Sequence, residues 1–367
     1  MTEEREIAGF VVPFTIGIIS ATYSLSQFWP SHIAPAATSV FIAAFPLILL
    51  LHPSRRKRDR RVIMTLVVIA ASGCGLLTGF THRLASIAIN TDFTLVPDWL
   101  AGLGVRMKQR IDSLPFSHNS TNAVISALIT GDRSDLTKEL SSIFRESGAS
   151  HILALSGLHL GIIYGIISRI LSVAGKNLNA RRLRYILTVS ACAIYTAATG
   201  AGASITRAFL FIFIGETAAL SGRHRNIVVT LMASLFIQLL FSPGSAKDIG
   251  FQLSYAAMAG IAFIYPRLKG LWPEGTGGIM KRIWESAAIS ISCQLTTGPL
   301  AYMYFGTFAR HFLLTNLLAM PLTCIIIPIS MLTAGLDAAG ICPDILLKAT
   351  EILVCTMIDC LKTIATM

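Results

Sequence analysis

The sequence predicts an all-α protein, a polytopic transmembrane bundle of about eleven spans with short amphipathic interfacial helices on its outer side. Three observations carry that reading. The chain of 367 residues is 53% hydrophobic and only 13% charged, against about 25% charged in soluble domains. Apolar runs of membrane length recur along it. Its basic residues gather in alternate loops, as the positive-inside rule demands.

The runs lie near 8–25, 33–51, 62–80, 150–171, 185–200, 204–221, 227–242, 249–265, 284–304, 311–335 and 345–364. They divide the chain into a three-span region at 1–80, an extracytoplasmic amphipathic-helix segment at 81–149, and the main transmembrane domain at 150–367. The start, MTEEREIAGF, is acidic and lacks the n-region and cleavage site of a signal peptide, so the first span is expected to be retained. The densest basic run, Arg55 to Arg61, belongs in the cytoplasm, and the N-terminus with it. Alternating the spans puts Lys176 to Arg184, Arg223 to Arg225, and Arg267, Lys269, Lys281 and Arg282 inside, and the C-terminus outside. The net charge of +11 is thus loop charge, and basicity alone says nothing about nucleic acid.

In the outer segment, Leu100, Leu103, Met107 and Ile111 share one helical face, with Arg106, Lys108 and Arg110 on the others. A second helix from Thr121 to Thr130 ends at Gly131. Ser134 then offers a helix N-cap, Leu136, Leu140, Ile143 and Phe144 a single apolar face, and Gly148 a left-handed stop. From Ser150 to Leu171 the chain reads as one membrane-length helix. Gly157, Gly161 and Gly165 form a small-xxx-small packing ridge on it. His159 falls about 200° from Gly157 and Ser156 about 60° from His159, which makes a polar face roughly opposite the ridge.

Further polar groups sit in later spans: Arg207, about 5 Å in from a cap at Ser204, then Gln252, Ser254, Gln294 and Asn316. Each has an ordinary explanation in helix-to-helix hydrogen bonding or, for Arg207, in snorkelling to the headgroups. Their number favours a polar interior path. Tyr302 to His311 clusters aromatics as an interfacial belt would. Pro321 and Pro328 are expected to kink or break the run from Phe312 to Leu336.

No catalytic centre is expected. There is no GxxxxGK[ST] phosphate loop, and Asp132 with His151 or His159 has no accompanying nucleophile motif. Seven scattered cysteines form no CxxC pair, so neither a disulfide framework, a metal site nor a cofactor is expected.

ALITGDRSDL, followed by FRESGASHILALSGLHLG, ITRAFLF, GFQLSYAAMAG and QLTTGPLAYMYFGTFARHFLLTNLLAMP, resembles the signature of the ComEC competence family. The resemblance covers roughly Ala127 to Pro328. It marks Gly131, Asp132, Arg133, Ser134, Gly148, His151, Ser156, Gly157, His159, Arg207, Gln252 and Ser254. It implies a channel in the bacterial cytoplasmic membrane for uptake of single-stranded DNA in natural transformation. It also implies a separate outer DNA receptor, a nuclease and a cytoplasmic DNA motor as partner chains, with membrane lipids around the bundle and a homo-oligomer as one arrangement. The DNA path would take Asp132, Arg133, His151, Ser156, His159, Arg207, Gln252, Ser254, Gln294 and Asn316. Members of the family commonly carry an outer OB-fold domain and a C-terminal domain of metallo-β-lactamase type. The expectation here is a chain without either, as a shortened member or as a paralogue serving as a small-solute transporter or membrane scaffold.

Overall fold

Helices are the one regular structure that satisfies every backbone N–H and C=O within a single apolar segment. Every secondary-structure element among the described residues is helical. The computed structural model describes residues 2–23, 67–79, 98–153, 155–172, 177–272, 278–306 and 311–367. The expected span at 33–51 and the basic run Arg55 to Arg61 lie outside them.

The chain divides into two units, one of Met1–Thr94 with Arg223–Tyr255, the other of Leu95–Gly222 with Ala256–Met367. In the first, α1 (Thr2–Tyr23) packs on α2 (Val67–Gly79) and on α10 (Ile227–Phe241). Glycines set the α1–α2 distance: a Cβ on Gly17 would collide with the Ser72 carbonyl, and one on Gly75 with the Phe14 carbonyl. Phe10 and Phe14 close against Phe236 of α10, with ring centroids 5.4 and 4.7 Å away. A 3₁₀ turn at Pro243–Lys247 leads into α11 (Ile249–Ala259).

The second unit is built around α4 (Asn119–Thr130), with eight buried residues from Thr121 to Ile129. A helix buried all round belongs at a centre rather than on a surface. This corrects the expectation of an outer interfacial helix at Thr121–Thr130. Around α4 pack α3 (Asp98–Asp112), α6 (Ser150–Leu153), α14 (Phe312–Ala338) and α15 (Asp344–Ala365). The stripe Thr350, Val354, Met357, Leu361 and Ile364, spaced alternately by four and three, is the buried face of α15. Helix α5 (Lys138–Glu146) packs on α6 and α15 through Leu140 and Phe144, as its apolar face predicts. Its cap is Thr137, not Ser134: the Thr137 hydroxyl accepts from Leu140 N at 3.2 Å, and Gly148 takes the left-handed φ of 81°.

The helix expected to run unbroken from Ser150 to Leu171 is broken. It ends after α6 and restarts as α7 (Gly157–Leu171). Beyond it, α7 packs on α8 (Leu178–Ala198), α9 (Ala203–Leu220) and α14. Conversely, α14 runs as one helix through Pro321 and Pro328, so the break that was one of the two expected outcomes does not occur. A π turn at Gly260–Ile264 joins α11 to α12 (Tyr265–Lys269). Pro266 has no N–H to return to the Ala262 carbonyl, and the Arg267 guanidinium donates to the neighbouring Phe263 carbonyl.

Three described helical stretches are long and apolar enough to cross a membrane: Ala203–Leu220, Ile249–Lys269 and Phe312–Ala338. Shorter apolar helices lie at Ile7–Ser20, Val67–Gly79, Gly157–Leu171 and Ile227–Phe241. The protein is therefore a helical, multi-pass membrane chain. Helices α8, α13 (Ile279–Phe305) and α15 are long enough at 21, 27 and 22 residues, but polar and charged residues along them lower their apolar character.

Helix contact at Gly260 gives a test. A Cβ there would collide with the Ser292 carbonyl of α13 and crowd the Thr296 hydroxyl at 2.7 Å. Gly260→Ala should lower stability by about 1–3 kcal/mol, read as a lowered melting temperature in detergent. Gly165→Ala, whose Cβ meets nothing within 4 Å, should leave it unchanged or slightly raised.

Candidate functional site at the helix break

A buried helix must have its last carbonyls answered. At the end of α4, Gly131 adopts φ 79° and returns its N–H to Ala127 O at 3.1 Å. The Tyr195 hydroxyl of α8 donates to Ile129 O at 2.6 Å. The chain then turns sharply through Asp132. Its Oδ1 accepts from Ser134 N at 2.8 Å, and its Oδ2 meets Lys108 Nζ of α3 at 2.8 Å. The same ammonium reaches Asp135 at 2.8 Å and the Ser134 hydroxyl at 2.6 Å. The bond from Lys108, helped by the Ser134 N–H, pulls the Asp132 carboxyl down to about 2. Lys108 is raised in return, by its bonds to Asp132 and Asp135. Asp112 is raised, chiefly by desolvation and then by the Asp135 charge.

Arg133 connects this turn to the break, its Nε donating to Leu153 O at 3.2 Å, the last residue of α6. On the far side Ser156 is the N-cap of α7, with φ −116° and ψ 167°. Its hydroxyl accepts from Leu158 N at 3.3 Å, and its own N–H donates to His159 Nδ1 at 3.3 Å. This is a reciprocal cap in which histidine takes the place usual for Glu or Gln. Ser156 and His159 are thus joined in one local motif rather than spread over a polar helix face.

On the Gly157 side of α7, expected as a packing ridge, α9 comes close at Gly157. A Cβ on Gly157 would lie 3.1 Å from Ala208 Cβ and 3.4 Å from the Arg207 guanidinium. Arg207 is 7% exposed, so its cation lies within the unit against the first turn of α7 instead of snorkelling outward. Its helix starts at Ala203 with Gly202 as cap, not at Ser204. Gly161 and Gly165 would each tolerate a Cβ, with nothing within 4 Å. Close approach is confined to Gly157.

His151, on α6, has Nδ1 3.1 Å from Gly148 O. The break therefore brings together Arg133, Ser156, His159 and Arg207, with Asp132 next to Arg133 in the chain; His151 lies on the short α6 that precedes it and Asn316 on α14. Gln294 is half-buried on α13. Gln252 and Ser254 belong to the other unit, where Gln252 Nε2 donates to Ala246 O at 2.9 Å.

One residue escaped the sequence reading. Glu216, inside the apolar α9, accepts a hydrogen bond from the Tyr164 hydroxyl of α7. An acid within an 18-residue candidate span was itself a sufficient signal. Among the described residues no group of three or more His, Cys, Asp or Glu is placed to hold a metal ion.

Residues 128–367 match the profile of the family described as Competence protein. The chain is similar to ComE operon protein 3 of Bacillus subtilis strain 168, 26% identical over 201 residues, which cover 55% of this chain and 24% of that protein. It is also similar to the uncharacterized protein YcaI of Escherichia coli K12, 24% identical over 227 residues, covering 60% of this chain and 30% of that protein. The match thus spans less than a third of the length of either relative. No solved structure matches.

The Lys108 clamp predicts a pH dependence. A depressed carboxyl adds stability that is complete above its unfolded pKa of about 3.9 and is lost as pH falls towards about 2. Asp132→Asn should melt below wild type at pH about 6. That gap should close on acidification from about 4 to about 2 in thermal melts of the detergent-solubilised protein.

Proposed function

The chain belongs to the Competence protein family, and from that premise we propose that its bundle conducts single-stranded DNA inward across the bacterial cytoplasmic membrane. The observation that carries this reading is the buried Arg207 guanidinium at the first turn of α7, beside a helix break built from the family segment. A DNA strand presents a phosphate at every nucleotide. A path for it needs fixed positive potential and tolerance of any base. Helix N-termini supply part of that potential, because their N–H groups face outward and the dipole favours anions. Arg207 supplies the rest with a full charge.

On the orientation set by the basic loops, the break lies near the outer end of the bundle, with the N-terminus inside and the C-terminus outside. With the residues outside the described set, the spans come to about eleven. The chain performs no catalysis. A separate outer receptor, a nuclease and a cytoplasmic motor deliver, convert and pull the strand, and lipids or further copies of the chain seal the bundle.

A second reading draws on Glu216. A carboxylate on the same helix as Arg207 repels phosphate, and a polar transmembrane pair such as Tyr164–Glu216 suits small-solute transport. Deleting the gene in a transformable host decides between them. DNA entry should be abolished while binding at the cell surface persists; normal transformation overturns the DNA reading. Arg207→Gln should lower DNA entry about tenfold, the factor carried by ~1.4 kcal/mol of lost phosphate contact, with normal protein abundance. Solute flux through reconstituted protein without DNA flux supports the transporter.

A further inference from the structure

We propose that the end of the α7–α8 pair is a binding site for the headgroup of an anionic phospholipid, held by Arg169 and Arg182. A charge conflict points to it. Helix α8 starts after Asn177, whose side chain accepts from Ala180 N at 2.8 Å. Within about its first two turns it carries Arg181, Arg182 and Arg184. These cations stand towards the positive end of the helix dipole, which favours anions. Neither α7 nor α8 contains an aspartate or a glutamate.

Arg181 is occupied: its Nη2 donates to Ala219 O, near the end of α9, at 2.8 Å. That bond holds the start of α8 beside the end of α9. Arg182 and Arg169, the latter in the last turn of α7, are both exposed. Among the described residues neither has an ion-pair partner. The two helices pack on each other and follow closely in sequence, so both arginines stand at the same end of the pair.

The surroundings of Arg182 select its partner. Leu178 and Ile186 flank it one helical turn away on either side, and Leu183 and Leu187 form the adjoining row; all four are exposed. A guanidinium on an otherwise aliphatic outward face needs acyl chain and anion together. An anionic phospholipid offers both, and the planar fork of arginine matches its phosphodiester. A nucleic acid strand would supply phosphates but leave the four aliphatic side chains unanswered. A second copy packed symmetrically on this face would bring cation against cation. On the orientation proposed above, the site faces the cytoplasmic leaflet, whose anionic lipids attract basic residues. The inference does not depend on what the bundle conducts.

The test titrates phosphatidylglycerol or phosphatidylcholine of identical acyl chains into the full chain in zwitterionic detergent and reads the melting temperature. Phosphatidylglycerol should raise it and phosphatidylcholine should not; equal responses overturn the site. Arg169→Gln and Arg182→Gln should each weaken the apparent phosphatidylglycerol affinity about fivefold, and unchanged affinity in both overturns it. Lys281→Gln removes an exposed cation at the start of α13 and should leave the affinity as it was. An equal loss there would mean a diffuse basic surface and no site. Inorganic phosphate or oligothymidylate raising the melting temperature in place of phosphatidylglycerol overturns the lipid assignment. If a glutamine variant fails to fold, native mass spectrometry of wild type decides. Bound phosphatidylglycerol should survive excess phosphatidylcholine, and its displacement overturns the proposal.

Discussion

The second unit depends on the burial of α4 on all sides. Eight of its residues from Thr121 to Ile129 are buried, so protein groups answer carbonyls near its C-terminal end. Gly131 closes one with its own N–H, and Tyr195 reaches across from α8 to close another. Those two contacts fix where the chain leaves α4, and hence where Asp132 and Arg133 stand. Lys108 holds the turn from one side, and Arg133 ties it to the last carbonyl of α6. The position of the break follows from the end of the buried helix.

The break is a local solution to a general problem. Interrupting a helix leaves N–H groups exposed on one side and carbonyls on the other, and in an apolar setting both need partners. Here Arg133, twenty residues upstream, answers the end of α6, while Ser156 and His159 answer the start of α7 from within it. The polar side chains that looked like the lining of a path are partly the repair of the backbone. Gln252 is similarly occupied by the Ala246 carbonyl. Arg207 lies buried against the first turn of α7, next to Gly157.

Much of the fold was legible because helical period and apolar length are written directly in sequence. The face of α5, the left-handed Gly148, the helix end at Gly131 and most of the helices after α7 follow from such patterns. The errors share a cause. HILALSGLHLG is apolar enough to read as continuous helix, yet the break at Ser156 is set by a local cap formed with His159, which hydropathy does not register. Thr121–Thr130 reads as a modest amphipathic helix because its burial comes from neighbours distant in sequence. Pro321 and Pro328 announce a break that does not occur, since packing along α14 outweighs two absent N–H donors. Of the candidate site, residue identities were legible and groupings were not. The apposition of Arg207 and Gly157 needs α9 laid against α7, and Tyr164 meets Glu216 across the same contact.

The two prolines of α14 have a mechanical consequence. Each removes one rung of the backbone ladder, opposite the carbonyls of Leu317 and Cys324. Seven residues separate them, so both rungs are missing from nearly the same side of the cylinder. A rod weakened twice along one line is not equally stiff in every direction: it bends readily in the plane containing that line and resists bending across it. The segment that bears Asn316 lies beyond both weak points. Thermal force on that end of α14 is therefore channelled into a swing along a single axis, which makes the helix a one-directional leaf spring at the rim of the break.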